Sequence, residues 1–174
     1  MKLSKRGEYA LRGLIDLGIA HEAGREVIRI QEIVAKEGIP TPFLEQIFAQ
    51  LRQAGFIDGK RGKKGGYFLA KPADTISMGQ VVRLIDGPLA PIGCVSQTRY
   101  EKCSCPDENH CGLRMLMLDV RNAIAEILDR YTLSRVVEVT IRALRRDGLP
   151  IPFAVTDASS GPSNPSLAGG FFEI

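Results

Sequence analysis

The 174-residue chain has no run near the roughly 20 apolar residues that a membrane span needs. Its opening stretch, MKLSKRGEYALRG, has no uninterrupted apolar segment before Arg12. Neither a membrane span nor a secretory leader is expected, which points to the cytoplasm. Histidine is scarce: His21 and His110 are the only two, and their placement suggests no triad, so no enzyme is expected. Net charge is only +3, which alone says little about partners. No internal repeat is visible. Cysteine is absent outside one polar stretch, GCVSQTRYEKCSCPDENHC, which holds Cys94, Cys103, Cys105 and Cys111. Structural disulfides are rare in the cytosol, so clustered thiols there lean toward metal or redox chemistry.

The hydrophobic periodicity predicts a mainly α chain with one small β-hairpin. Residues 4–20 read as a helix capped by Ser4, with Ala10, Leu11, Leu14, Ile15 and Leu17 at helical spacing. A short helix over 30–37 ends at Gly38. A third helix follows at once, with Thr41 as cap, Pro42 in the first turn and Gly55 as its end. Leu44, Ile47, Phe48 and Leu51 form its buried stripe. Two helices this closely joined have helix-turn-helix spacing. FID and YFLA around GKRGKKGG read as a hairpin. Ser77 and Gln80 form a capping box for a helix to about Asp86. Residues 112–131 carry the longest amphipathic pattern: Leu113, Leu116, Met117, Val120, Ile124, Ile127, Leu128 and Tyr131 on one face. Ser134 restarts a short helix through Leu144. The organisation expected is a winged helix-turn-helix over 1–87, a cysteine loop over 88–111, a long helix and short follower over 112–147, and a disordered tail over 148–174. From 150 onward that tail has four Pro, four Ser, three Gly and no Lys or Arg.

Charge is local. Residues 58–72 hold five cations against Asp58, a net +4, so the rest of the chain sums to −1. A helix pair beside a basic hairpin suits double-stranded DNA. The second helix can enter the major groove, where base edges are distinguishable. Lys60, Arg61, Lys63 and Lys64 can neutralise phosphates and release counterions. On the helix, Thr41 can donate to a phosphate, Phe43 can contact a thymine methyl, Gln46 can read adenine, and Glu45 can accept from a cytosine amino group. Glu45 equally suits the bland role of complementing the helix dipole.

The motifs MKLSKRGEYALRGLIDL, PFLEQIFAQLRQAGFI and RGKKGGYFLAK, followed by a cysteine segment ending in CGLR, resemble the Fe–S winged-helix repressors of the IscR and NsrR type (the Rrf-two family) over about residues 1–145. The resemblance implies a homodimeric transcription factor on a two-fold symmetric operator, with a long dimerisation helix and a cluster near the dimer axis. It places Pro42, Phe43 and Glu45 at the base-reading positions and Arg61 at the wing arginine. Pro42 and Phe43 stand where some members carry a small polar residue and a tyrosine, so the operator sequence does not carry over.

Fe–S clusters are held by Cys thiolates, usually four. The spacing here is C-x8-C-x1-C-x5-C. The family's three-cysteine pattern selects Cys94, Cys105 and Cys111. Cys103 is left as an extra, or exchanges with Cys105. For the remaining position the resemblance points to Glu8, from the first helix of the partner subunit. Some members use a histidine three residues after the last cysteine; here that residue is Arg114, which cannot ligate. His110 is a weaker alternative. The implied cofactor is a 2Fe–2S or 4Fe–4S cluster that senses redox state, nitric oxide or iron and cluster status. A zinc-stabilised loop is one rival, although the C-x₂₋₄-C pairs that structural zinc favours are missing. A cluster-free thiol regulator is another. An electron carrier would have no use for the basic hairpin.

Overall fold

The computed structural model describes residues 2–154. Ser4 caps the first helix, α1 (Lys5–Glu22), its Oγ accepting the Gly7 N–H at 3.0 Å. Three α1 glycines let neighbours approach closer than any side chain would allow. A Cβ on Gly7 would lie 2.6 Å from the Asp86 carboxylate, one on Gly13 2.8 Å from the Phe48 ring, and one on Gly18 2.6 Å from Val137. Each glycine costs about 1 kcal/mol of helix propensity, which close packing on three sides offsets. With Ala10, Leu14 and Leu17, α1 is the axis around which the core assembles.

Helix α2 (Ile30–Glu37) ends, as expected, on Gly38 at φ 64°. Helix α3 (Thr41–Gln53) begins one residue earlier than the expected cap allows. The Pro40 carbonyl accepts the N–H groups of Phe43 and Leu44 at 3.0 and 3.2 Å. The chain is therefore already helical at Thr41, which no longer serves as cap, and Pro42 is the second helical residue. Leu44, Ile47, Phe48 and Leu51 are fully buried, the stripe expected from the sequence.

Strands β1 (Ile57–Lys60) and β2 (Gly66–Leu69) pair antiparallel, Ile57 opposite Leu69 and Lys60 opposite Gly66. The segment before α2 adds a bridge that the sequence does not signal. Ile28 and Tyr67 exchange backbone hydrogen bonds of 3.0 and 2.8 Å, so the wing is stitched to the start of the helix pair. Helix α4 (Met78–Asp86) carries the expected capping box.

The apolar stripe expected of helix α5 (Gly112–Arg130) divides between core and solvent. Leu113, Leu116, Val120, Ile127 and Tyr131 are exposed in the single chain, whereas Leu128 packs on the core. The inward face includes Arg121, 9% exposed, whose Nε has no hydrogen-bond partner among the described residues. Helix α6 (Leu133–Arg146) is a full 14 residues, and its cap is Thr132 rather than Ser134: the Thr132 Oγ1 accepts the Arg135 N–H at 3.3 Å. Leu133, Val137 and Ile141 are buried in the same core as α1. The chain therefore leaves the winged unit along α5 and returns to it with α6. Composition assigns a tail from 148, yet Ile151 and Phe153 pack half-buried against this core. Residues 155–174, with Phe171 and Phe172, lie outside the described residues.

One buried charge stands out. Asp16 is 1% exposed on α1; its Oδ1 accepts from Lys36 Nζ at 2.6 Å and its Oδ2 has no partner among the described residues. Burial pushes its carboxyl up to about 6, against the opposing pull of Lys36. Because the folded state holds this proton more tightly than the unfolded state, the contribution of Asp16 to stability falls as pH rises from about 4 to about 6. Urea denaturation across that window is expected to show wild type losing stability relative to Asp16→Asn as pH rises; parallel profiles would refute the assignment. Truncating Leu133, which is wholly buried, to Ala is expected to destabilise the fold by about 2–5 kcal/mol in the same assay. A loss under about 1 kcal/mol, the range of non-core sites, would detach α6 from the core.

Candidate nucleic-acid interface and thiol cluster

Helix α3 presents one face to the core and the other to solvent. Pro42, Phe43, Glu45 and Gln46 are exposed, Phe43 by 53%, and Thr41 is half-buried at the helix start. All five sequence-predicted helix positions thus sit at the N-terminal end or on the free face of α3. The helix is held from behind by Phe48, whose ring meets Tyr67 edge-on, centroids 4.9 Å apart at 79°. Tyr67 belongs to β2, so one aromatic pair fixes the spacing between helix and wing. Gly66 is required at this junction, since a Cβ there would lie 2.5 Å from the Ile28 carbonyl oxygen.

Arg61, Lys63 and Lys64 are exposed at the hairpin tip, where Gly62 takes φ 106°. Lys60 reaches Glu26 at 2.9 Å, a solvent-exposed pair that contributes little to stability. Lys71, counted in the local charge, lies over the Phe56 ring at 3.8 Å, away from the tip. Between wing and helix pair runs a groove of about 400 Å³ lined by Arg29, Gln31, Arg52, Lys60, Arg61 and Lys63. Arg29 also donates to the Lys63 carbonyl at 2.8 Å, bracing the tip. Sequence reasoning missed Arg29 and Arg52. They lie outside the basic run, and only the fold brings them to it; the single available signal was their position at the start of α2 and the end of α3.

The thiols sit at the other end of α5. Cys94 is buried in a 3₁₀ turn, Gly93–Val95, that packs against α5. Cys111 is the N-cap residue of α5, where the partial positive charge of the helix end favours an anion. The intervening loop is tied down by polar contacts. Glu108 accepts from Tyr100 Oη at 2.7 Å and from Arg114 Nε at 3.1 Å, and Asp107 accepts the N–H groups of Asn109 and His110 at 3.0 and 3.2 Å.

Cys105 Sγ and Cys111 Sγ are 3.7 Å apart. Cys103 lies two residues before Cys105 in the same loop and is half-buried. Burial, then the Cys103 thiol, push the Cys94 thiol up. Hydrogen bonds to Cys103 and Cys111 push the Cys105 thiol up to about 12. Cys103 is held below the usual thiol range, first by the Cys105 side chain and then by its backbone N–H. Among the described residues no three His, Cys, Asp or Glu side chains converge as a cage about one ion. Two thiolates at about 2.3 Å from one tetrahedral metal stand about 3.8 Å apart, close to the Cys105–Cys111 separation, so these two thiols can share one metal.

The non-thiol candidates are engaged elsewhere. The Glu8 carboxylate meets Lys5 Nζ at 2.8 Å and Arg12 Nη1 at 3.3 Å, with the Lys5 hydrogen bond holding it below the usual range. His110 is exposed and bonded to Asp107 at 2.6 Å, and Arg114 is paired with Glu108.

Among the described residues no helix is long and apolar enough to cross a membrane. Residues 3–139 match the Rrf2 family, described as iron-dependent transcriptional regulators. An rrf2-like HTH-type transcriptional regulator of Rhodobacter capsulatus is 38% identical over 135 residues, 75% of this chain and 89% of that protein. The HTH-type transcriptional regulator IscR of Escherichia coli is 30% identical over 137 residues, 79% of this chain and 80% of that one. The structure of CymR, the global cysteine regulator of B. subtilis, superposes with a TM-score of 0.68 at 29% identity, covering 80% of this chain and 98% of that one. These relatives are regulators of transcription and not enzymes. With its winged helix, basic groove and matched length, the chain belongs to the Rrf2 family of DNA-binding transcriptional regulators.

Proposed function

We propose that this regulator acts in the cytoplasm as a homodimer on a two-fold symmetric DNA operator, and that an Fe–S cluster in the cysteine loop controls its affinity. The observation that carries the DNA geometry is the Phe48–Tyr67 contact, which joins recognition helix and wing into one face. In this reading Pro42, Phe43, Glu45 and Gln46 meet base edges, while Thr41 donates to a phosphate. Lys60, Arg61, Lys63 and Lys64 take phosphates or the adjacent minor groove, and Arg29 and Arg52 extend that positive track.

The apolar stripe of α5 supports the dimer. Leu113, Leu116, Val120, Ile127 and Tyr131 are all exposed in the single chain, and helices with such seams pair with a copy of themselves. Pairing through α5 sets the distance between two α3 helices, which two half-sites need at about 34–36 Å.

Cys94, Cys105 and Cys111 hold the cluster in this reading, with a fourth donor beside them. When bound, the cluster supplies a group whose oxidation, nitrosylation or loss changes the ligands it demands. What the chain contributes is the loop itself. Cys111 sits at the first turn of α5 and Cys94 in the turn packed against it, so holding both thiolates together fixes the start of the dimer helix. A preference of about 1–3 kcal/mol between two α5 arrangements is enough to change operator affinity about 5- to 150-fold.

Two measurements test this. Fluorescence anisotropy across salt is expected to give a steep fall of log K with log salt. Arg61→Ala and Arg52→Ala should each reduce that slope by about 0.9; an unchanged slope removes that residue from the phosphate track. Gel shifts of cluster-loaded and cluster-free protein on one operator should differ by about 5- to 150-fold, and equal affinities would sink the switch.

A further inference from the structure

We infer that the segment following α6, through Phe153, is a strap that aims the recognition helix, and that Phe153 is a positioning residue for base reading that acts through the end of α2. This rests on the reading of α3 given above and extends it. Gly148, at φ 67°, turns the chain at the end of α6. The Gly148 and Leu149 N–H groups donate back to the Arg145 and Leu144 carbonyls at 3.2 and 2.9 Å, the Schellman pattern of a helix that ends in a sharp turn. Beyond it Ile151 lines a cavity with Ile141 of α6 and Glu22 of α1, and Ile151 and Phe153 pack half-buried on the core. Phe153 takes φ 62°, the one non-glycine residue in the left-handed region among the described residues. A bulky side chain is strained there, so packing rather than local preference holds the ring in place.

The ring meets the last turn of α2. Lys36 Nζ stands 5.9 Å from the centroid of the Phe153 ring, within the range at which a cation is attracted to a ring face. The same Nζ donates to the buried Asp16 carboxylate at 2.6 Å and pairs with Glu37. Arg12 of α1 donates to the Glu37 carboxylate and carbonyl at 2.5 and 2.8 Å. Lys36 and Glu37 are the last two residues of α2, and only Gly38, Ile39 and Pro40 separate them from α3. The turn that leads into Thr41, Pro42 and Phe43 is therefore clamped to α1 by ion pairs, and a ring from the C-terminal segment packs on that clamp.

The consequence concerns specificity. Without the ring the clamp loses one of its contacts, and the end of α2 is freer to tilt with the first turn of α3. The wing cations stay where the hairpin holds them. Base-edge contacts carry sequence information and phosphate contacts do not. The strap therefore acts on discrimination between sequences and not on the attraction common to all DNA.

The test uses the full-length protein with a duplex enriched from random sequence by the wild type and a scrambled duplex of the same composition. Wild type, Phe153→Ala, Phe153→Tyr and Phe153→Leu are compared by fluorescence anisotropy on both duplexes and by amide hydrogen exchange over residues 34–43. Phe153→Ala is expected to bind the enriched duplex at least about 5-fold more weakly, the lower end of what one mismatched base pair costs. Its affinity for the scrambled duplex should be unchanged, and exchange over that turn should be faster. Phe153→Tyr keeps the ring face and is expected to match wild type. Phe153→Leu keeps only the apolar bulk and is expected to follow Phe153→Ala. Circular dichroism melts serve as the fold control; if Phe153→Ala melts below the assay temperature, Phe153→Leu is read in its place. Unchanged discrimination, an equal loss on both duplexes, or Phe153→Leu matching wild type overturns the strap while leaving α3 as the reading helix. Wild type that enriches no duplex removes the base-reading role of α3 and this inference with it.

Discussion

The arrangement of the DNA-facing half depends on the edge-on contact between Phe48 and Tyr67. Phe48 is wholly buried, and it reaches Tyr67 across the space that Gly13 leaves on α1. Such aromatic pairs contribute about 0.5–1.5 kcal/mol beyond the area they bury. The larger effect is geometric. Tyr67 is also the residue that bridges to Ile28, so one side chain and its own backbone connect β2 to α3 and to the entry of α2. Any change that loosens this contact moves the wing relative to the recognition helix, and the basic groove between them opens or closes with it.

The same glycine logic operates at the other contacts of α1. Gly18 admits Val137 of α6, and Gly7 admits the Asp86 carboxylate of α4, which accepts hydrogen bonds from both the backbone and the side chain of Ser4. A helix with glycine at residues 7, 13 and 18 is poor in propensity. It is stable here because three other elements close over it, so tertiary packing rather than propensity keeps it helical.

Most helices were legible because their signals are local. The Ser4 cap, the Gly38 terminus and the Ser77/Gln80 box depend on residues within one turn, and periodicity marks the stripe of α3. The misread features depend on contacts distant in sequence. Thr41 carries a good cap side chain, yet the Pro40 carbonyl starts the helix without it. The stripe of α5 has one apolar side by periodicity, but that side divides between its own core and open solvent, which no single-chain pattern distinguishes. Composition makes residues 150–154 a tail, and Ile151 and Phe153 pack nonetheless. At the candidate sites the basic run 60–64 could be read directly. Arg29 and Arg52 could not, because they join it only in space. For the thiols, spacing pairs Cys105 with Cys111, and the folded loop brings those two sulfurs together.

The two ends of the molecule are joined through α4. Arg83 on α4 forms a two-pronged pair with Asp129 on α5, at 2.6 and 2.7 Å, geometry that resists sliding of one helix past the other. Just beyond, the Met78 N–H donates to the Tyr131 carbonyl at 2.9 Å and the Leu133 N–H to the Ile76 carbonyl at 2.8 Å. The end of α5 is thereby fastened to the start of α4, and the far end of α4 is fastened to Ser4 at the start of α1 through Asp86. A loop that repositions the first turn of α5 therefore acts on a helix whose last turn is bonded to the winged unit. In the proposed dimer, two copies of α5 held at a different angle would carry their winged units with them as rigid bodies. The spacing of the two recognition helices would change before any contact within one unit had to break.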